Sequence, residues 1–304
     1  MTVLFFILCY TIPMKPLSQF PIQTWDTPMI EKYFGHIPQV PKQMFIRGVF
    51  PEAPNLVYLT VVGSRNITPY GEQVLEHLIS GLRGYPIVIV SGLALGTDGL
   101  AHKHAMSAGL GVVAFPGSGL SGSVIAPRSH YLLAEKILNY GGCLLSEYEA
   151  ETMAANWTFP QRNRLMAGMS VATLVIEARH KSGTRITAKL ATEYGRDVLA
   201  VPGNIFSEHS EGPNELIRLG AVPVTSSREI LEVLGFHVTE TPMMDLFSQC
   251  TPDEQLVLEQ LTSPMMRGEL VRAIKLPIHK ANILLSQMEM KGMIRESDGM
   301  VRRV

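Results

Sequence analysis

Cysteine is scarce in this 304-residue chain: Cys9, Cys143 and Cys250 lie far apart, and no C-x-x-C pair exists. That argues against a zinc ribbon or a disulfide framework and for buried or incidental thiols in a reducing compartment, so the expected location is cytoplasmic. Net charge is scarce too, with 26 Lys+Arg against 27 Asp+Glu. No global attraction to nucleic acid or membrane follows from a balance of −1. The apolar run Val3–Leu8 lacks a basic leader and meets Pro13 and Lys15. It falls short of the roughly 20 residues of a span and reads as a fragment packed on the body. Internal repeats and low-complexity tracts are missing as well. What is present in quantity is apolar mass, 46% of residues, enough for a core and about two domains and too much for a disordered chain.

Residues 1–50 carry prolines at 13, 16, 21, 28, 38 and 41, with Pro51 and Pro54 just beyond. That density predicts an irregular lead-in without long helices or central strands, at most the remnant of a helical domain. From Leu56 the texture changes. Apolar runs recur at Leu56–Val62, Ile87–Val90, Val112–Phe115, Cys143–Leu145, Ala172–Ile176 and Val198–Val201, each followed by a turn and a helical stretch. Continuous runs without alternation describe strands buried on both faces. The expected fold is α/β, an extended Rossmann-like, doubly wound and mostly parallel sheet over residues 51–237. A linker over 238–251 follows. Amphipathic stretches at Pro252–Leu261, Arg267–Ile274 and Ile278–Met290 and a terminal hairpin then predict a winged helix over 252–304. Such a module either contacts DNA or docks protein.

In sheets of this class, ligands sit at the carboxyl ends of the strands. Five strands here run into glycine-bearing loops: Gly63-Ser64-Arg65, Ser91–Asp98, Pro116–Gly119, Glu177–Thr184 and Pro202-Gly203-Asn204. Glycine admits a phosphate close to the backbone, hydroxyls such as those of Ser64, Ser182 and Thr184 donate to it, and each following helix points its positive end inward. Residues 160–189 hold six cations against Glu177 alone, a local +5 inside a neutral chain. Residues 205–260 hold ten acids against two arginines, and the stretch from Arg267 onward is basic again. Phe159-Pro160-Gln161-Arg162-Asn163-Arg164, placed just before a helix, sets an aromatic beside cations and an amide. Such a group stacks a base, holds phosphates and reads a base edge.

Candidate catalysts are few. G-x-x-x-x-G-K-S/T is missing, as is G-x-G-x-x-G in a dinucleotide register. His102 and His104, two apart on a helix, point to different faces and make a poor metal pair. Asp98 and Glu147 read as loop anchors, and Ser64, Ser91 and Ser118 as phosphate or backbone donors.

Seven motifs occur in order: Gly63-Ser64-Arg65, Ser91-Gly92-x-Ala94-x-Gly96-x-Asp98, Ser146-Glu147-Tyr148, Phe159–Arg164, Ser182-Gly183-Thr184-x-x-Thr187-Ala188, Val201-Pro202-Gly203-Asn204 and Gly212-x-Asn214-x-Leu216-Ile217. Over roughly residues 40–235 the chain resembles the DNA-processing protein DprA family, also called Smf. The resemblance implies a non-enzymatic protein of natural transformation, without metal or cofactor. Such a protein binds and protects incoming single-stranded DNA, loads RecA onto it, and forms a homodimer through the later part of the Rossmann-like domain. Carried over by position, Arg65 grips phosphate, and Arg162, Asn163, Arg164 and Lys181 fall in a basic pocket. By the same resemblance Phe159 serves as a stacking platform, and Gly183 and Thr184 are donors. Departures include Thr97, which stands where an apolar residue is usual.

Two other readings compete. The first is a nucleotide phosphoribohydrolase of the lysine-decarboxylase-like group. Those enzymes carry a catalytic Glu where this chain has Thr187, so the carboxylate for acid–base work is missing. The second is a nucleotide-sensing module whose winged helix acts as a transcription factor.

Overall fold

The computed structural model of the chain describes residues 14–180, 182–236, 250–261, 264–297 and 299–303. Cys9, the run Val3–Leu8, Lys181 and almost all of the expected linker lie outside these residues. The described residues fall into two compact units, the first up to residue 236 and the second from residue 250. No helix among them is long and apolar enough to cross a membrane.

The first unit runs β1 (Ile22–Trp25), α1 (Thr27–Phe34), β2 (Met44–Gly48), β3 (Val57–Val62), α2 (Pro69–Ser80), β4 (Ile87–Ser91), α3 (Thr97–Ala108) and β5 (Gly111–Ala114). It continues through α4 (Tyr131–Tyr140), β6 (Cys143–Ser146), α5 (Thr158–Met169), β7 (Ala172–Val175), α6 (Thr184–Glu193), β8 (Asp197–Ala200), α7 (Glu211–Arg218), β9 (Val222–Pro223) and α8 (Ser227–Val233). Among the described residues these strands form a nine-stranded sheet in the order β1-β2-β6-β5-β4-β3-β7-β8-β9. The seven from β6 to β9 are mutually parallel, and β2 and β1 add antiparallel at one side. Every residue of β4, β6 and β7 is buried, as the unbroken apolar runs require.

The amino-terminal region departs from expectation. Its prolines bracket regular structure instead of preventing it. Between Pro41 and Pro51, β2 runs uninterrupted and pairs on both sides, with β1 and with β6, so it is an interior strand. Its Arg47 is 7% exposed and donates to the carbonyls of Phe20 and Leu120 at 2.7 and 2.5 Å. That internal pairing makes a charge tolerable there. Trp25, Tyr33, Phe50 and Tyr58 stack around this corner with ring centroids 4.9–5.8 Å apart.

The second unit contains α9 (Pro252–Gln260), β10 (Met265–Met266), α10 (Arg267–Ala273), α11 (Ile278–Met290), β11 (Ile294–Ser297) and β12 (Met300–Arg303). Among its described residues, three helices enclose Val257, Leu270, Ile274, Ala281, Leu285 and Met288. A small antiparallel sheet in the order β10-β12-β11 closes one side, the winged-helix arrangement. A capping box between Thr251 and Glu254 starts α9, and Lys291 reaches Glu254 at 2.6 Å.

Candidate functional site

The chain winds outward from β3 through β4, β5 and β6 on one side and through β7, β8 and β9 on the other. The carboxyl ends of β3 and β7 therefore flank the switch point, where open α/β sheets leave a crevice. A cavity of about 390 Å³ opens there. It is lined by Gly63, Ser64, Arg65 and Asn66 after β3, Ala94 and Asp98 after β4, the first turns of α5, and Arg179 with Ser182–Thr184 after β7. Among the described residues, three of the five glycine loops thus line this cavity. The Pro116–Gly119 loop supports it from behind, because Gly117 lies against the Phe159 ring, where a Cβ would come within 2.5 Å. Pro202-Gly203-Asn204 lines a separate cavity of about 610 Å³ with Thr68 and Tyr70.

The loop after β3 is held in place by α3. The amide and hydroxyl of Thr97 both donate to the Ser64 carbonyl at 3.1 Å, and the hydroxyl sits where a Cβ on Gly63 would be. Thr97, a departure from the family pattern, is therefore a brace between two loops. Gly96, at φ +69°, passes beneath the Ser64 and Arg65 carbonyls so closely that no side chain fits. Thr184 Oγ1 donates to the Gly63 carbonyl at 3.0 Å, joining the third loop to the first. The Ser64, Ser91 and Ser118 hydroxyls all donate to backbone carbonyls. Arg65 remains exposed, with its guanidinium 5.0 Å from the centroid of the half-buried Phe159 ring.

The Phe159–Arg164 motif does not precede a helix; it forms the first two turns of α5. Helical periodicity then sorts its residues. Phe159, Arg162, Asn163 and Met166 follow i, i+3, i+4 and i+7 and all line the cavity. Arg164 lies off that face and does not line it. Its guanidinium donates to the Gln39 carbonyl at 2.7 Å and pairs with Glu147. The expectation that Arg164 belongs to the basic pocket is corrected on that ground: a helix cannot turn both Arg162 and Arg164 to one side.

Arg162 lines the cavity but is 5% exposed. Its Nη1 donates to the carbonyls of Gly92 and Phe115, clamping the ends of β4 and β5, and its Nε donates to Asn163 Oδ1 at 3.1 Å. Burial brings its pKa down to about 10, partly opposed by Asp98. Asp98 Oδ2 accepts from the amides of Gly92 and Ala94 at 3.1 and 3.4 Å, so this carboxylate anchors a loop. Burial raises its pKa, and Arg162 and the two amides oppose the rise. Thr187, buried, lines the cavity where the hydrolase group would need its Glu.

Ser182 Oγ is bonded to Thr184 Oγ1 at 3.0 Å and accepts from the Thr184 amide, shaping the turn into α6. The α6 amino terminus opens on the cavity, a site favourable to anions. Arg179 also lines the cavity and is exposed, with Glu208 3.6 Å from its Nε. Sequence counting included it among the cations, but only the fold shows it at the rim. The sharp division into basic and acidic segments does not survive folding, because α7 returns beside α6. Arg185 pairs with Glu215 at 2.8 Å, and Lys189 lies 3.6 Å from Glu193. The cations left to the cavity rim among the described residues are Arg65 and Arg179.

Comparison with known proteins agrees with this geometry. The family model of DNA recombination-mediator protein A matches residues 22–235. Protein Smf of Escherichia coli is 40% identical over 215 residues, covering 71% of this chain and 57% of its own length. DNA processing protein DprA of Bacillus subtilis is 40% identical over 174 residues, 57% of this chain and 58% of that one. The chain thus spans somewhat over half the length of these relatives. The crystal structure of DNA processing protein A from Streptococcus pneumoniae superposes with a TM-score of 0.63 at 33% identity, covering 73% of this chain and 76% of that one. DNA processing protein A from Helicobacter pylori, described for its single-stranded DNA binding mode, superposes with a TM-score of 0.63 at 28% identity, covering 72% of this chain and 99% of that one. With the family model matching residues 22–235, the chain belongs to the DNA recombination-mediator protein A family.

Proposed function

We propose that this chain binds single-stranded DNA at the β3/β7 crevice and acts as a recombination mediator that protects the strand and loads RecA, without catalysing a reaction. The observation that carries the reading is the cavity itself. Glycine-backed loops, the α6 amino terminus and two rim arginines are suited to phosphates, and the Phe159 ring beneath Arg65 is suited to a base. The single-stranded DNA bound by the Helicobacter pylori relative supports the same reading. RecA as partner is supported by the mediator family and the resemblance in motifs. A homodimer through the later part of the first unit is supported by a cavity of about 690 Å³ at the sheet edge, lined by Leu216, Leu219 and Val222, of which Leu219 is 67% exposed.

Titration with labelled oligonucleotides tests the reading. Single strands are expected to bind more tightly than duplex, with affinity falling as salt rises. Arg65→Ala and Lys181→Ala are expected to weaken binding to all sequences alike. Equal affinity for duplex, or no loss in either variant, overturns it. Release of base from a nucleoside monophosphate would instead promote the hydrolase.

A further inference from the structure

The chain has two tryptophans, and they sit at opposite extremes of exposure. Trp25 is 6% exposed, inside the aromatic corner beside β2. Trp157 is 57% exposed. An indole face turned to solvent is available for a base to stack on.

Trp157 is also firmly placed. It is the residue that caps the start of α5, two positions before Phe159. The Tyr148 ring stands edge-on to it, with centroids 5.7 Å apart and planes at 88°. Tyr148 is itself tied to α5, its hydroxyl donating toward Gln161 Oε1 at 3.1 Å and the Thr158 carbonyl at 3.3 Å. Between the two aromatics, buried Thr158 reaches the carbonyls of Gly117 and Ala155 through Oγ1 at 2.6 and 2.7 Å. Local disorder cannot hide the indole from water, because the backbone on which it stands is clamped.

The cavity wall and the exposed indole therefore belong to one helical turn. Phe159 faces inward beneath Arg65, and Trp157, two positions earlier on a different side of the helix start, stands outside the cavity lining beside Tyr148. A strand whose base enters the cavity meets the α5 amino terminus as it leaves. We infer that Trp157 is a second stacking platform, which receives the base flanking the one held at Phe159. The inference rests on the single-strand reading above. It adds a contact that is indifferent to base identity, since every base offers a π face. Tyr148 acts as a positioning residue that keeps the indole upright.

Tryptophan emission of the full chain, titrated with an oligothymidylate of about 20 nucleotides, tests this directly. Quenching on saturation is expected, and it should vanish in Trp157→Phe, because Trp25 is shielded. Trp157→Ala should lose about tenfold in affinity, and Trp157→Phe should lose less, because the smaller ring keeps part of the stack. Thermal melts establish that both variants are folded, and the Phe variant carries the test if the Ala variant is not. An unquenched emission, or a folded Trp157→Ala that binds like wild type while Arg65→Ala is weakened, overturns the inference and leaves the binding reading standing. Failure of the wild-type chain to bind the oligonucleotide overturns both.

Discussion

The Arg65 guanidinium lies 5.0 Å from the centroid of the Phe159 ring, joining the loop after β3 to the start of α5. Exposed guanidinium and half-buried ring are coupled, since each holds the other in position. Arg65→Ala and Phe159→Ala should each weaken single-strand binding, and the double variant should lose less than the sum of the two. A coupling of about 0.5–2 kcal/mol is expected from a double-mutant cycle in binding energy. Arg65→Lys should fall in between, because ammonium keeps the charge and loses the planar stack. Strict additivity would show that the two act separately.

Arg162 and Arg164 are two residues apart in sequence and differ in what their loss should do. Arg162→Ala leaves the Gly92 and Phe115 carbonyls without their donor and Asp98 without its neighbouring cation. A stability loss of about 3 kcal/mol is expected in denaturant unfolding. Arg164→Ala breaks its pair with Glu147 and should destabilise by about 2 kcal/mol, while affinity for single strands stays within about twofold. Replacing Arg164 and Glu147 together by Met and Leu should recover most of that loss. A large affinity loss in folded Arg164→Ala would place this arginine at the DNA after all.

Gly96 tests whether loop geometry matters apart from charge. At φ +69°, with the Ser64 and Arg65 carbonyls against it, Gly96→Ala must displace the Arg65 loop. Affinity should fall about as far as in Arg65→Ala, with about 1–2 kcal/mol of stability lost. Gly109→Ala is the control, also at positive φ (+76°) but facing open space. It should cost about 1 kcal/mol and leave affinity unchanged.

His102 makes acid sensitivity predictable. It is fully buried on α3, neither ring nitrogen has a partner, and its pKa is pushed down to about 3 by burial, with His130 and Arg162 adding to the effect. The folded chain keeps this ring neutral, whereas the unfolded chain protonates it below about pH 6.5. Stability from this group is therefore full above pH 6.5, falls as the pH drops, and levels off only near the folded value. Between pH 6.5 and 4.5 the loss is about 2 kcal/mol. His102→Leu should remove that slope and be neutral or stabilising at pH 7, read from melts at both pH values. Parallel acid dependence in variant and wild type would contradict it.

Much of the fold is legible in the residues. The six apolar runs match β3 to β8 within a residue at either end, because strands buried on both faces leave no room for polar alternation. β2 escaped notice for the same physical reason inverted: Arg47 interrupts its apolar pattern, and its compensating carbonyls come from residues 20 and 120. The lining of the candidate cavity was legible as loops and residue types. Gly63, Ser64, Arg65, Phe159, Arg162, Asn163, Ser182, Gly183 and Thr184 all line one cavity. Where the helix begins was not legible. Proline at position 160 is compatible both with a preceding loop and with a first helical turn.

What the sequence by itself determined is the class of fold and the family, and with them where a candidate site would lie, since these depend on local hydrophobic runs and on ordered short motifs. What only the tertiary structure decided, among the described residues, is which cations reach the cavity rim. Arg162 became a buried clamp, Arg164 the partner of Glu147, and Arg185 the partner of Glu215, while Arg65 and Arg179 stayed at the rim. Charge along a chain is a one-dimensional sum. A binding site is set by which opposite charges and carbonyls the fold brings within about 3 Å, and residues far apart in sequence supply them.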